Sequence, residues 1–352
     1  MTKSKRSKRR DFKKLRVLVL VHEDLIPPDS LDGLTDEEIQ NWKAEFDVIS
    51  SLKEMDHDVR VLGVWDDLGK IRKEIDDWSP HIAFNLLEEF HGIAVYDQHV
   101  VSYLELLRQP YTGCNPRGLM LSHDKALCKQ ILSYHRIPTP RFVVYPMRRK
   151  ARPTKRLNYP LLVKSAVEEA SLGISQASIV TSDEKLIDRV QFVQENLKSD
   201  ALVEEYIDGR ELYVSILGNE RLKVFPVWEL EFTKGGDKVP LIATAKVKWD
   251  YNYQKKLGVV THAATDLGDG VEAAIIKQCV RAYRALFLSG YARIDLRLDE
   301  QGRAYVLEAN PNPNLSYGED FAESGEAAGL SYEVLLHRIL TLGRSYRAAW
   351  RE

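Results

Sequence analysis

The stretch from Gly290 to Ser316, GYARIDLRLDEQGRAYVLEANPNPNLS, constrains this chain more than any other. Ala292, Ile294, Leu296 and Leu298 alternate with Arg293, Asp295, Arg297 and Asp299. Alternation of period two marks a strand with one apolar and one polar face. Asp299-Glu300-Gln301-Gly302 supplies a turn, and Ala304 to Leu307 reads as the return strand. On such a hairpin Asp295 meets Glu308 and Asn310 across one face. Two carboxylates and an amide oxygen form an all-oxygen set of the kind that suits Mg²⁺, with positions kept for water and substrate phosphates. An ordinary surface hairpin carrying three polar residues by chance is the competing reading. The ending Glu308-Ala309-Asn310, followed by Pro311, Asn312, Pro313 and Asn314, weakens it. Pairing stops there and leaves the carboxylate at a strand end that a ligand can reach.

These residues, ARIDLRLDEQGRAYVLEANPNP, resemble the ATP-grasp superfamily and, within it, the D-alanine–D-alanine ligases. The Arg-x-Asp strand, the thirteen-residue step from Asp295 to Glu308 and the Glu-x-Asn ending occur together. The resemblance implies that Asp295, Glu308 and Asn310 hold Mg²⁺ (or Mn²⁺) on the phosphates of ATP. It implies that Arg293 stabilises charge on an acyl phosphate and on the tetrahedral intermediate.

The remaining chain has room for two or three domains sharing clefts, at 352 residues. With 44% hydrophobic and 29% charged residues, its composition is that of a soluble globular protein. No apolar run approaches the roughly 20 residues needed to cross a bilayer, and the basic N-terminus lacks the apolar core of a signal peptide. Cys114, Cys128 and Cys279 are widely spaced and form neither a metal motif nor a disulfide framework, so a cytoplasmic location is expected. Residues 1–14 carry eight Lys or Arg against one Asp, so the formal −2 of the whole chain leaves −9 on the rest. That balance argues against nucleic acid as the main ligand of the folded part. The basic tail could itself touch phosphates of nucleic acid but is read as a flexible solubilising arm.

Leu15 to Val21 is a continuous apolar run of the kind buried in a parallel sheet. A helix is expected near Thr35 to Met55, with Thr35 and Asp36 as cap candidates. Val59 to Val64 and Ile82 to Leu86 read as further strands, with a helix over Lys70 to Asp77 between them. This βαβαβ rhythm predicts a doubly wound sheet with ligands at the carboxyl ends of its strands, where Glu23 lies. No G-x-G-x-x-G follows the first strand, which argues against a dinucleotide site and a Rossmann dehydrogenase. Gln109 to Gly113 is similar to a PYTG stretch of the same ligases, and by that likeness Glu23 could bind the first substrate. Asn85 to Asp97, NLLEEFHGIAVYD, departs from the ligases' usual substrate-side signature.

His123-Asp124-Lys125 is read as opening a helix that Ile137-Pro138-Thr139-Pro140 ends. This start and break are similar to those of ATP-grasp ligases and imply that Lys125 contacts ATP phosphate. Tyr159 to Lys164 reads as a strand ending on a lysine, and the loop after it contains Ser171 and Gly173. A lysine and backbone amides can neutralise a triphosphate there, at about 1.5–3 kcal/mol for each charge-assisted hydrogen bond. The family's lid is rich in glycine. Here Glu169 stands at a glycine position and Ala170 where the D-alanine ligases carry a substrate-organising serine. The lack of GxxxxGK[ST] excludes a P-loop ATPase. Residues 203–212, VEEYIDGREL, resemble the adenine hinge of ATP-grasp proteins. The likeness implies Glu205, Tyr206 and Ile207 along the adenine edge, Glu204 close by, Glu211 on the ribose hydroxyls and Leu307 against the base. Leu222 to Glu231 reads as a strand, and Val271 to Ser289 as an amphipathic core helix.

Residues 243–256 resemble the mobile loop that closes over the acyl phosphate. Lys246 and Lys248 are phosphate candidates there, and Lys248 joins Arg293 as a catalytic candidate. Trp249 stands where D-alanine ligases have tyrosine. Asn314 and Tyr317-Gly318-Glu319-Asp320 occupy the place where those ligases hold the second substrate's carboxylate with small polar residues. Acidic side chains repel a carboxylate and suit an amine or guanidinium. The expectation is therefore an α/β (α+β) ATP-grasp fold: a tail over 1–14, an N-terminal domain over 15–120, a lid domain over 121–200 and a C-terminal domain over 201–352. Its expected activity joins a small-molecule carboxylate to an amine of an amino acid or peptide, with release of ADP and phosphate. Its product is expected to differ from D-Ala-D-Ala, and a homodimer is left open. A second reading keeps the fold and drops the chemistry, leaving an ATP-binding protein that acts through partners.

Overall fold

The computed structural model describes residues 12–31, 33–167, 175–234, 255 and 257–348. Strand β1 (Arg16–His22) is buried on both faces, with Val17 to Val21 all at 0% exposure. Each such side chain contributes about 1.5–3 kcal/mol on burial, so this run has to lie inside a sheet. Helices α1 (Asp36–Gln40) and α2 (Lys43–Glu54) follow. The single helix expected over Thr35 to Met55 is thus two, interrupted at Trp42, which leaves the helical region at φ −131°. Thr35 caps the first: its Oγ1 accepts from Glu38 N–H, and Glu38 Oε2 accepts from Thr35 N–H at 2.8 Å.

Strands β2 (Asp58–Val64) and β3 (Ile82–Asn85) flank β1 in parallel, with α3 (Leu68–Trp78) between them in sequence and α4 (Asp97–Leu106) after them. The order β2-β1-β3 reverses at β1 and puts α2 and α3 on opposite faces. Val17, Val19 and Val21 pack with Val48 and Leu52, while Leu18 and Leu20 pack with Ile71 and Leu104.

Helices α5 (Pro116–His123) and α6 (Lys125–Tyr134) come next. The helix expected from His123 starts at Lys125 instead, because Asp124 turns out of the helix and accepts from Leu127 N–H at 2.8 Å. An antiparallel sheet then forms from β4 (Phe142–Tyr145), β5 (Leu161–Ser165), β6 (Ile179–Val180) and β7 (Ala201–Glu205), in the order β4-β7-β5-β6. Helix α7 (Asp183–Asn196) closes over it, and the pair has its own core of Leu161, Val163, Leu186, Val190 and Val203.

The third sheet holds β8 (Arg210–Leu217), β9 (Lys223–Val224), β10 (Trp228–Phe232), β11 (Val259–Ala263), β12 (Tyr291–Leu298) and β13 (Ala304–Pro311). Its order is β11-β10-β8-β12-β13, with β9 on β8. The strand expected over Leu222 to Glu231 is broken into β9 and β10 about Pro226, which has no N–H for the ladder. Helix α8 (Val271–Ala285) covers the apolar face of this sheet. Helices α9 (Asp320–Ala327) and α10 (Tyr332–Ser345) finish the described chain. Leu335, Leu336 and Ile339 of α10 share a core with Val17 and Phe84, so the end of the chain packs on the N-terminal sheet. No described helix is long and apolar enough to cross a membrane.

Candidate functional site

Strands β8, β12 and β13 lay their polar side chains in rows. Ser215 lies opposite Arg293 and Arg293 opposite Asn310. Tyr213, Asp295 and Glu308 make the next row, and Glu211, Arg297 and Tyr305 the third. Leu212, Val214, Ile216, Ile294 and Leu296 take the other face and are fully buried.

A β-bulge makes this arrangement possible. Asp295 pairs with Glu308 but Leu296 pairs with Val306, so Leu307 has no partner opposite. Strict alternation along β13 would send Val306 and Glu308 to one face. The extra residue reverses the parity, leaving Val306 in the core and Glu308 and Asn310 among the charges. The far end of the hairpin is anchored by Asn312, whose Oδ1 accepts from Cys114 N–H at 2.7 Å. Gly113 beside it has φ 94°, and a Cβ there would come within 2.5 Å of that oxygen, so only glycine fits.

Arg293 is central to the first two rows. Its Nε and Nη2 donate to Oδ1 and Oδ2 of Asp295 at 2.8 and 2.9 Å, and its Nη1 reaches Oδ2 of Asp320 at 3.4 Å. The guanidinium lies 4.4 Å above the Tyr213 ring. Burial opposes its charge, but Asp295 and Asp320 more than offset that, and Arg293 is held firmly protonated. In the third row Arg297 donates to Glu211 Oε2 at 2.7 Å and to Gly209 O at 2.9 Å. Tyr213 OH donates to the other Glu211 oxygen at 3.0 Å.

Facing these strands is a cluster of lysines from α6 and β5. Lys125 N–H donates to Ala166 O at 2.9 Å, which ties the start of α6 to the end of β5. Lys125 Nζ lies 3.5 Å from Glu308 Oε2. Lys164 Nζ and Lys129 Nζ lie 2.8 and 2.7 Å from the two oxygens of Glu204. Burial would raise the Glu204 carboxyl, yet the two lysines hold it below its ordinary value. Burial pushes Lys129 down, while Lys164, shared between Glu204 and Glu308, is held up. In the hinge that follows, Glu205 N–H donates to Arg141 O and Tyr206 N–H to Pro160 O, so neither N–H is offered to a base. The Glu205 carboxylate pairs with Arg141, Tyr206 lies near Arg297, and Ile207 and Leu307 are half-buried.

At the other end, Asn314 Oδ1 accepts from Ser316 N–H and Oγ at 2.7 Å each. Tyr317 is tethered to α2: its N–H donates to Asp47 Oδ2 at 2.8 Å, and its carbonyl accepts from Lys43 at 2.7 Å. Burial, with Asp320 beside it, pushes the Glu319 carboxyl above its ordinary value. Glu23 is exposed and pairs with Lys70 at 3.5 Å. No hydrogen bond or ion pair joins Glu23 to the other candidates among the described residues. Ser171, Lys246, Lys248 and Trp249, with Glu169 and Ala170, lie outside the described residues.

The oxygen set fits Mg²⁺ by its chemistry. Among the described residues no three His, Cys, Asp or Glu side chains group as a metal site, so two carboxylates and an amide are what the fold offers. Carboxylate oxygens keep lone pairs beyond those that Arg293 uses. Asn310 Nδ2 is buried without a hydrogen-bond partner among the described residues, an orphan that a phosphate oxygen beside the ion would satisfy.

Sequence reasoning missed Lys129, Arg297, Tyr213 and the Lys43–Asp47 tether. A signal existed for the first two: Lys129 is one helical turn past Lys125, and Arg297 shares the polar parity of Arg293 and Asp295. None existed for the tether, whose partners are 270 residues apart or more.

The family model described as D-ala D-ala ligase C-terminus matches residues 131–341. An uncharacterized protein, y4sG, of Sinorhizobium fredii is 34% identical over 259 residues, which cover 74% of this chain and 73% of that protein. A D-alanine–D-alanine ligase of Bordetella petrii is 31% identical over 256 residues, covering 71% of this chain and 73% of the ligase. The structure of a D-alanine–D-alanine ligase from Bacillus anthracis superposes with a TM-score of 0.73 at 23% identity, covering 94% of this chain and 97% of that one. The last likeness shows a shared fold.

Proposed function

This chain belongs to the D-alanine–D-alanine ligase family, and from that membership we propose an ATP-dependent carboxylate–amine ligase whose second substrate carries a positive charge. The observation that carries the reading is the 3.5 Å approach of Lys125 to Glu308, which brings the helix that carries the lysines against the strand that carries the carboxylate. ATP phosphorylates a substrate carboxylate, and an amine then displaces phosphate from the acyl phosphate, so ADP and phosphate leave. The lid is residues 121–200, and ATP lies between it and residues 201–352.

In this reading Lys125 and Lys164 bind phosphate oxygens, with Ser171 in the loop beyond. Glu204 to Ile207 line the adenine edge, Leu307 packs on the base and Glu211 takes the ribose hydroxyls. Asp295, Glu308 and Asn310 would hold Mg²⁺ or Mn²⁺, which supplies charge neutralisation at the transferring phosphoryl group. Arg293, held by Asp295 and Asp320, is the charge proposed to stabilise the oxyanion. Lys248 is the lysine proposed for the acyl phosphate. Most of the catalytic effect is positioning and preorganised charge.

Glu319 and Asp320 support the amine or guanidinium side of the reading. A carboxyl whose pKa is raised by burial and by a like charge gains from a cation placed beside it. Glu23 is assigned to the first substrate, where its carboxylate suits an amino group and not the reacting carboxylate. The same reading places the enzyme in the cytoplasm; its three cysteines are free and buried. The test is ADP and phosphate release from Mg·ATP with pooled D- and L-amino acids, dipeptides and polyamines, with mass analysis of each responding pool. A product lighter than its two components by one water establishes the ligase and names its substrates. Release of AMP and pyrophosphate would overturn the acyl-phosphate route. A response confined to neutral acceptors would overturn the charged second substrate.

A further inference from the structure

Lys129 has no part in the chemistry above, yet its side chain is 0% exposed. Its Nζ donates to Thr139 Oγ1 at 2.7 Å and lies equally close to Glu204 Oε2. The other Glu204 oxygen faces Lys164 at 2.8 Å. Burying a second ammonium beside an ion pair that could stand alone is unfavourable, and an apolar side chain of similar volume often serves as well or better. Packing alone therefore does not account for this lysine. Its charge does. Two ammoniums and one carboxylate leave the trio with a single positive charge. Without Lys129, Glu204 and Lys164 would cancel, and Lys164 would stay on the carboxylate instead of turning to a phosphate.

We propose that Lys129 is a positioning residue for nucleotide binding: it occupies Glu204 and so leaves the charge of Lys164 available to the ATP phosphates. The inference rests on the reading of Lys164 as a phosphate-binding lysine. It makes a statement that a packing role would not. Lys129→Met removes one positive charge, Glu204→Gln removes one negative charge, and the two together restore the native balance.

The experiment is calorimetric titration of the full chain with ADP plus Mg²⁺ and, separately, with adenosine, taking the ratio of the two affinities. The ratio isolates the phosphates from the base. Lys129→Met is expected to lower it about tenfold, the scale of one charge-assisted hydrogen bond. Lys129→Met with Glu204→Gln is expected to return it to within about threefold of the native value. An unchanged ratio in Lys129→Met, or no recovery in a folded double variant, overturns the proposal. If Lys129→Met fails to fold, Glu204→Gln alone decides: the proposal requires a raised ratio, and an unchanged or lowered one overturns it. Lys164→Met tests the underlying reading separately. If it keeps the native ratio, that reading falls and the inference with it. If it loses the ratio while Lys129→Met keeps it, only the inference falls.

Discussion

At the end proposed to take the nucleotide, Lys129, Lys164 and Glu204 are buried together with partners within 2.8 Å. At the end proposed to take the acceptor, Asn314, Tyr317 and Gly318 are exposed, and the loop is held by Lys43 and Asp47 from a helix at the other end of the chain. Buried charges interact strongly and move little, so the first arrangement is preorganised for one task. An exposed loop on two tethers can be re-aimed without disturbing a core. The departures from the D-alanine ligase pattern expected from the sequence fall at Glu319 and Asp320 and at Glu169 and Ala170, while Lys125, Lys164, Asp295, Glu308 and Asn310 match it. Under the proposed function, the reaction would belong to the buried charges and the choice of substrate to the tethered loop.

The sharpest way to break that contrast is at the paired carboxylates. Asp295→Ala or Glu308→Ala is expected to lower phosphate release by about 10³-fold or more, and near-normal turnover in either variant would sink the assignment. Arg293→Lys comes next. A single ammonium cannot grip both Asp295 oxygens and reach Asp320, so kcat should fall about 10²-fold, and a native kcat would reduce the bidentate contact to scaffolding.

At the acceptor end the effects should be selective rather than general. Glu319→Gln with Asp320→Asn is expected to cut kcat/KM for cationic acceptors about tenfold relative to neutral ones. Equal losses on both classes would remove the charge argument. Asp47→Asn weakens the tether only, so the acceptor KM should rise a few-fold while the KM for ATP stays put. A shift in both would show that the two ends are coupled.

Glu45, on the tethering helix, bears on stability rather than turnover. Burial pushes its carboxyl up to about 7 from an ordinary 4.5. A raised carboxyl favours folding in its protonated form, so the stabilisation is present below about pH 4.5 and is lost as pH rises through about 7. Ionisation there costs at most about 3 kcal/mol. Glu45→Gln should therefore raise Tm at pH 8 and change it little at pH 4, as thermal melts at the two values would show. An equal shift at both would mean the side chain acts by packing.

Much of this was legible in order along the chain. The alternation from Ala292 to Leu298 and the unbroken apolar run at β1 place their strands without outside help, because each records how many of a strand's faces are buried. The residue types at Asp295, Glu308, Asn310, Lys125 and Lys164 carried the expectation of metal and phosphate chemistry, and the fold brings Lys125 to Glu308. The helix break at Trp42 was harder, since apolar spacing continues across it and only the backbone turns away.

What the sequence by itself determined is which elements form and which donors they carry, since period and residue type are local properties. What only the tertiary structure decided is how those donors meet. Leu307 bulges because β12 dictates the register of β13, and that one residue turns Glu308 and Asn310 to the charged face. Lys129 meets Glu204, Arg297 meets Glu211 and Asp47 meets Tyr317 because the packing of apolar faces elsewhere brings distant charges into reach. A chain specifies the face on which each side chain stands within its own element; the packing of elements against one another specifies its partners.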